Sequence, residues 1–208
     1  MTRRLGVLIS GRGSNLQAIL AAINGGALDA TVAVVISNKA EAAGLTFARR
    51  AGVPTEVLDH RGFRSRAEYD TALVKRLREY DVGLVCLAGF MRFLSPVFVN
   101  AFPHAILNVH PSLLPAFPGV DAQTQALAHG VKVAGCTVHF VTEELDAGPI
   151  VMQATVPVRP DDTSETLAAR ILAEEHRLYP AAIALVLSGG WRIEGRRFLA
   201  PYGAGVQR

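Results

Sequence analysis

Leu5-Gly6-Val7-Leu8-Ile9-Ser10-Gly11-Arg12-Gly13-Ser14-Asn15-Leu16 is the stretch whose reading decides the fold. Leu5 to Ser10 is a short apolar run bounded by glycine, which reads as a buried strand. From Asn15 to Asn24 the apolar residues Leu16, Ile19, Leu20 and Ile23 recur at helical spacing. Between them lies a turn carrying Gly11 and Gly13. A strand that runs through such a turn into a helix is half of a strand-helix-strand unit. Glycine lets the backbone come close to an anion, and a helix N-terminus supplies free N–H groups and partial positive charge. A dinucleotide fingerprint needs a further small residue where Leu16 stands, and a Walker loop needs Gly-Lys-Ser/Thr. Two readings stay open: a site for a single phosphate, and a tight turn without a ligand.

Outward from this turn the alternation continues. Thr31 to Ser37 is a β-branched strand. Glu41 to Ala51 reads as a helix stopped by Gly52. Val53 to Leu58 is a third strand, Arg66 to Tyr80 a helix with Tyr69, Leu73 and Leu77 on one face, and Val82 to Ala88 a fourth strand. These strands are near-continuous apolar runs, the mark of a parallel sheet covered on both faces. Ile106 to His110 reads as a strand entering a proline-rich loop, and Gln123 to His129 as a short helix. Lys132 to Val141 and Ile150 to Val158 read as strands paired antiparallel. Ser164 to Leu187 reads as a long helix with Asp161, Asp162 and Thr163 as capping candidates. A short tail ends at Gly203 and Gly205. The expected fold is one α/β domain over 1–208.

The 208 residues are half hydrophobic and 19% charged, which excludes intrinsic disorder. Cys86 and Cys136 sit in apolar runs and read as buried free thiols of a reducing cytosol. The charge of +3, from 21 Lys+Arg and 18 Asp+Glu, is scattered, which argues against a nucleic-acid surface. Met1-Thr2-Arg3-Arg4 begins like a signal segment, but Ser10 to Asn15 cuts the apolar run short. Phe93 to Val120 contains no Asp, Glu, Lys or Arg. Its Pro96, Pro103, Pro111, Pro115 and Pro118 and its two histidines rule out a lipid-exposed helix, so it reads as protein interior or pocket wall.

Three places carry candidate chemistry. Asn108-Val109-His110-Pro111-Ser112 ends a strand, so Asn108 and His110 face the same way, about 7 Å apart along the chain. Ligands of open parallel sheets bind at such carboxyl ends. An amide and an imidazole side by side suit an oxyanion and a proton transfer. Thr142-Glu143-Glu144-Leu145-Asp146-Ala147-Gly148-Pro149 is a polar loop in which a turn can aim Asp146 back at a histidine. For Glu144 a solvated turn suffices. In the last helix, Ile171, Glu175 and Leu178 share a face. Glu175 there needs a partner, and a substrate amine, Arg170 and Arg177 all remain open.

Together these pieces resemble the phosphoribosylglycinamide formyltransferase family. The runs that carry the resemblance are Ile9 to Ala18, Ser37-Asn38-Lys39-Ala40, Leu87-Ala88-Gly89-Phe90-Met91-Arg92, Asn108 to Pro115, and Val138 to Pro149. The resemblance implies a Rossmann-like, mostly parallel sheet with helices on both faces and antiparallel strands toward the C-terminal end. It implies a phosphate-binding half over about 1–100 and a folate and catalytic half over about 101–208. By resemblance Asn108, His110 and Asp146 are the catalytic trio. Gly13, Ser14 and Asn15 hold the ribonucleotide phosphate and Glu175 meets its amine. Arg66, Met91, Arg92, Phe93, Leu94, Thr142, Glu143, Glu144, Leu145 and Asp146 contact the folate. The implied reaction moves a formyl group from the co-substrate 10-formyltetrahydrofolate to phosphoribosylglycinamide, a step of purine biosynthesis. The expectation includes no metal, nicotinamide or flavin, no nucleic-acid or membrane partner, a monomer or homodimer, and a cytoplasmic location. Pro118-Gly119-Val120-Asp121-Ala122-Gln123 resembles the family's loop only through Pro-Gly, so Asp121 and Gln123 receive no role, and Arg12 fills a variable slot. Within the superfamily, a methionyl-tRNA formyltransferase is expected to carry a further RNA-binding domain, and a 10-formyltetrahydrofolate hydrolase to lack the phosphate loop. A non-catalytic binder of a phosphorylated metabolite would account for the glycine turn but not for the trio.

Overall fold

Five parallel strands form the first part of the chain in the order β3-β2-β1-β4-β5. They are β1 (Arg4–Ile9), β2 (Thr31–Ser37), β3 (Thr55–Val57), β4 (Leu84–Leu87) and β5 (Ile106–His110). The computed structural model describes residues 2–201, so Met1 and the expected tail at Gly203 and Gly205 lie outside the described residues. The crossovers include α1 (Ser14–Asn24), α2 (Ala43–Arg50) and α3 (Arg66–Glu79), with a 3-10 turn at His60–Gly62. β1 and β4 are apolar on both faces because helices cover both, and Leu5, Val7, Leu8 and Ile9 are fully buried. The chain builds outward from β1 through β2 to β3, then returns to β4 on the other side. That reversal makes the carboxyl ends of β1 and β4 the crevice where this architecture binds ligands.

The chain divides after Asn108, within β5, into two compact units. The second contains α5 (Ala122–Ala128), β6 (Val133–Phe140), β7 (Ile150–Pro157), α6 (Ser164–Ser188), β8 (Arg192–Glu194) and β9 (Arg197–Leu199). β6 and β7 pair antiparallel, as their direct connection suggests, and β9 and β8 follow. α6 buries Leu167, Ile171, Glu175, Leu178, Ile183 and Val186. Of the three capping candidates it is Thr163 that caps α6, with Thr166 completing a reciprocal capping box. Asp162 instead pairs with Arg170 at 2.7 Å. Cys86 and Cys136 are free and buried.

Several expectations need correction. The helix read from Glu41 begins at Ala43, and the third strand shrinks to Thr55–Val57. The uncharged stretch from Phe93 contains a helix, α4 (Pro96–Ala101), that its composition concealed. The segment after Leu187 is not a bare tail: β8 and β9 form a hairpin there, and Trp191 and Phe198 pack on Phe140 with ring centroids 5.3 and 5.8 Å away. Among the described residues, no helix is long and apolar enough to cross a membrane.

Candidate active site

The glycine turn is built around one close approach. Gly13 precedes α1 with φ +74°, a left-handed conformation that costs glycine nothing. A Cβ placed on Gly13 would lie 2.6 Å from the Cα of Gly44, where α2 passes. The Gly44 amide donates to the Gly11 carbonyl at 3.0 Å and fixes that contact. Ser14 and Asn15 open α1, no side chain caps it, and no acidic residue occupies its first turn. Asn15 is buried, whereas Arg12 is exposed. Ser10 ties three strand ends together. Its hydroxyl donates to Asn38 Oδ1 at 2.6 Å and accepts from the Met91 amide at 2.9 Å, and its amide donates to the Gly89 carbonyl. The Ser37-Asn38 and Gly89-to-Met91 segments therefore meet the glycine turn at the crevice between β1 and β4.

Beside it stands an exposed apolar ledge. Met91 and Phe93 are 71% and 55% exposed. The Arg66 guanidinium lies 5.9 Å from the centroid of the Phe93 ring. Arg92 instead stacks over Tyr69 at 5.1 Å. Leu94 is half-buried, and the next residue, Ser95, donates its amide to buried Asp70 at 2.6 Å. Asp70, on α3, thus fixes the far end of this segment, a function that its sequence neighbourhood did not signal.

The second unit holds the titratable cluster. Strand alternation puts Asn108 and His110 at successive same-face positions of β5. His110 is 4% exposed. Its Nδ1 lies 3.5 Å from Asp146 Oδ2, and its Nε2 donates to the Phe117 carbonyl at 2.9 Å, since a carbonyl can only accept. Asp146 sits at φ +48° in the loop between β6 and β7. Gly148 permits this turn, because a Cβ there would overlap the Phe140 carbonyl. The Gly119 amide donates to Asp146 Oδ2 at 2.8 Å. On the other oxygen, His139 Nε2 approaches Oδ1 at 3.6 Å. Burial alone would raise the pKa of Asp146. The His139 imidazole, the Gly119 N–H and the charge of His110 outweigh it and hold the carboxyl below its usual range.

The structure therefore brings His110 and Asp146 together as the turn suggested. It adds three groups the sequence reading passed over: His139, the Gly119 amide and the Phe117 carbonyl. The Pro-Gly pair was the available signal for Gly119. For His139 the signal was a histidine at same-face spacing from Thr137 in an otherwise apolar strand. Asp121 acts structurally, accepting from Thr124 Oγ1 at the start of α5. Of the folate-loop candidates, Glu143, Glu144 and Leu145 are exposed and Thr142 is half-buried. Glu175 is 7% exposed on α6. Arg170 pairs with Asp162 and Arg177 with Glu174. The buried Cys136 thiol is pushed up to about 12, by burial first and then by the charge of Glu175. Among the described residues, no cluster of three or more His, Cys, Asp or Glu side chains is arranged to hold a metal ion.

Comparison with known proteins places this geometry in a family. The "Formyl transferase" family model matches residues 3–183. The phosphoribosylglycinamide formyltransferase of Escherichia coli K12 is 47% identical over 190 residues, covering 91% of this chain and 87% of that protein. The crystal structure of glycinamide ribonucleotide transformylase 1 from Symbiobacterium toebii is similar with a TM-score of 0.94 and 58% identity, over 96% of this chain and 94% of that one. The trifunctional purine biosynthetic protein adenosine-3 of Homo sapiens is 51% identical over 186 residues, and there the chain spans 18% of the relative's length. In the Bos taurus protein of that name it spans 19%. The mostly parallel α/β sheet with antiparallel strands toward the C-terminal end agrees with these structures. The chain belongs to the phosphoribosylglycinamide formyltransferase family.

Proposed function

We propose that the chain transfers the formyl group of 10-formyltetrahydrofolate to the amine of 5-phosphoribosylglycinamide, giving the N-formyl product and tetrahydrofolate on the route to purine nucleotides. The observation that carries this reading is Asp146, drawn from a left-handed turn onto His110 at the carboxyl end of β5, two residues beyond Asn108. In this reading the neutral amine attacks the formyl carbon. The Asn108 amide and the His110 imidazole stabilise the oxygen that gains charge, and removing one such donor costs about 10²–10³ in rate. Asp146 orients His110 through the contact at Nδ1. Protons pass to the departing folate nitrogen. The Nε2–H that meets the Phe117 carbonyl is the donor assigned to the formyl oxygen, so substrate exchanges one acceptor for another.

Gly13, Ser14 and Asn15 are proposed to hold the ribonucleotide phosphate. The support is an uncapped helix start behind a glycine with positive φ. Glu175 is proposed to meet the glycinamide amine. The folate residues are proposed to be Arg66, Met91 to Leu94 and Thr142 to Asp146. An exposed apolar ledge beside a guanidinium suits a flat conjugated ring with an anionic tail. No step in this reading calls on a metal or redox group. The proposed setting is the cytoplasm, with the chain as a monomer or homodimer.

The test is to mix protein, formyl donor and ribonucleotide and follow the folate absorbance. Formyl loss that requires ribonucleotide supports the transferase. Loss without ribonucleotide would instead make the protein a hydrolase, and no loss would make it a binder.

A further inference from the structure

Asp146 is a left-handed residue in a polar loop, yet its side chain must present one oxygen to His110. Such a conformation persists only where surrounding contacts over-determine it. On the Oδ2 side the contacts are the Gly119 amide at 2.8 Å and His110 at 3.5 Å. On the Oδ1 side the contact is His139 at 3.6 Å.

His139 is held more firmly than the loop it faces. It lies on β6, is 2% exposed, and its Nδ1 donates to the Phe140 carbonyl at 2.9 Å. The proton on Nδ1 fixes the ring's orientation and turns Nε2 toward Asp146. The ladder between β6 and β7 also breaks there. Val138 pairs with Met152 but His139 pairs with Ile150, so Val151 is an extra residue on the partner strand. A bulge of this kind re-aims a neighbouring side chain and is often found beside active sites. A carbonyl on one ring nitrogen and a carboxylate on the other are both acceptors. A carboxylate oxygen has no proton to give, so an N–H on Nε2 is the group that would donate to Asp146 Oδ1.

We infer that His139 is a positioning residue for the proposed formyl transfer: it holds Oδ1 of Asp146 from the rigid strand so that Oδ2 is left to His110. The inference rests on the transfer reading. Among the described residues, the charged or titratable groups facing the Asp146 carboxylate are His110 from β5 and His139 from β6. Glu143 and Glu144 of its own loop are exposed. The depression of the Asp146 pKa has the His139 imidazole among its causes. Removing His139 therefore raises that pKa, and a reaction that needs the carboxylate loses its acid limb at a higher pH.

The experiment compares wild type with His139→Leu and His139→Gln. The Gln side-chain amide can place an N–H near the position of Nε2. For His139→Leu we expect kcat to fall about tenfold with both KM values within about twofold, and the acid limb of the kcat profile to rise by about one pH unit. His139→Gln should recover most of the lost kcat. Carboxyl-carbon NMR titration of Asp146 without substrates should show its midpoint raised in the Leu variant and near wild type in the Gln variant. A folded Leu variant with an unmoved acid limb and an unmoved Asp146 midpoint overturns the inference. If the Leu variant does not fold, His139→Asn replaces it, since its shorter amide falls short of Oδ1. Equal Asp146 midpoints in the Gln and Asn variants then overturn the inference, and a raised midpoint in Asn alone supports it. A wild-type protein that transfers no formyl group overturns the functional reading instead, while the NMR midpoints still decide whether His139 holds Asp146.

Discussion

Replacing Gly13 with alanine, and Gly11 with alanine as its partner experiment, separates the two glycines of the turn. At Gly13 the φ of +74° costs an L-residue about 1–2 kcal/mol. The new Cβ would stand 2.6 Å from the Gly44 Cα, about 1 Å inside ordinary contact, and backbone cannot rotate away as a side chain can. Pushing α2 aside costs about 1–3 kcal/mol by comparison with overpacked cores. The stiffer unfolded chain returns about 0.4–1 kcal/mol. The balance is a loss of about 3 kcal/mol, or roughly 6–12 °C in melting temperature for a chain this long. At Gly11 a Cβ meets nothing within 4 Å, so the unfolded-state gain is unopposed and Gly11→Ala should leave stability within about 1 kcal/mol of wild type. Calorimetry and urea unfolding of the two proteins give the comparison. Because the displaced backbone is the proposed phosphate cradle, Gly13→Ala should also raise the ribonucleotide KM while leaving the folate KM near wild type. Equal stability of the two variants would refute the close-approach argument.

Further expectations follow from the same contacts. Ser10→Ala removes the hydroxyl that ties the Met91 amide to the buried Asn38 oxygen and should cost about 1–3 kcal/mol, read by urea unfolding. Asp162 is held well below the usual carboxylate range by Arg170 and the Arg159 amide. The folded state binds its proton more weakly, so this stabilisation is complete above about pH 4 and fades as pH falls below it. The stability gap between wild type and Asp162→Asn should therefore narrow from pH 6 toward pH 3. His176 has a lowered pKa because of burial, and its Nε2 finds no hydrogen-bond partner among the described residues. Stability tied to its neutral form is present above about pH 6.5 and declines as pH drops through that value. Wild type should lose more stability than His176→Leu between pH 7.5 and 5.5, measured as the shift in urea midpoint.

The parts of the fold that local chemistry specifies were legible in the sequence. β1 and β2 are largely apolar runs that end at serine, β5 is a short strand that ends at Pro111, and the helical spacing of Tyr69, Leu73 and Leu77 marks α3. α4 was not legible, because six residues starting at a proline and lacking charge show no amphipathic contrast. The amide just before it is held by Asp70, 25 residues away. The β8–β9 hairpin was hidden for a related reason. Its strands are three residues each and charged, and its apolar rings find Phe140 only in three dimensions. At the site, the Asp146 turn toward a histidine could be read from Ala147-Gly148-Pro149. Which imidazole takes which carboxylate oxygen depends on a bulge and a loop amide that no local pattern encodes.

The most direct measurement of the central claim is single-turnover formyl transfer by a folded Asp146→Asn protein beside wild type, with both substrates saturating. Asparagine keeps an oxygen for the Gly119 amide but removes the charge that His110 and His139 share. A fall of at least about a hundredfold in the transfer rate, with binding of both substrates retained, is the expected result. A rate near wild type would contradict the account.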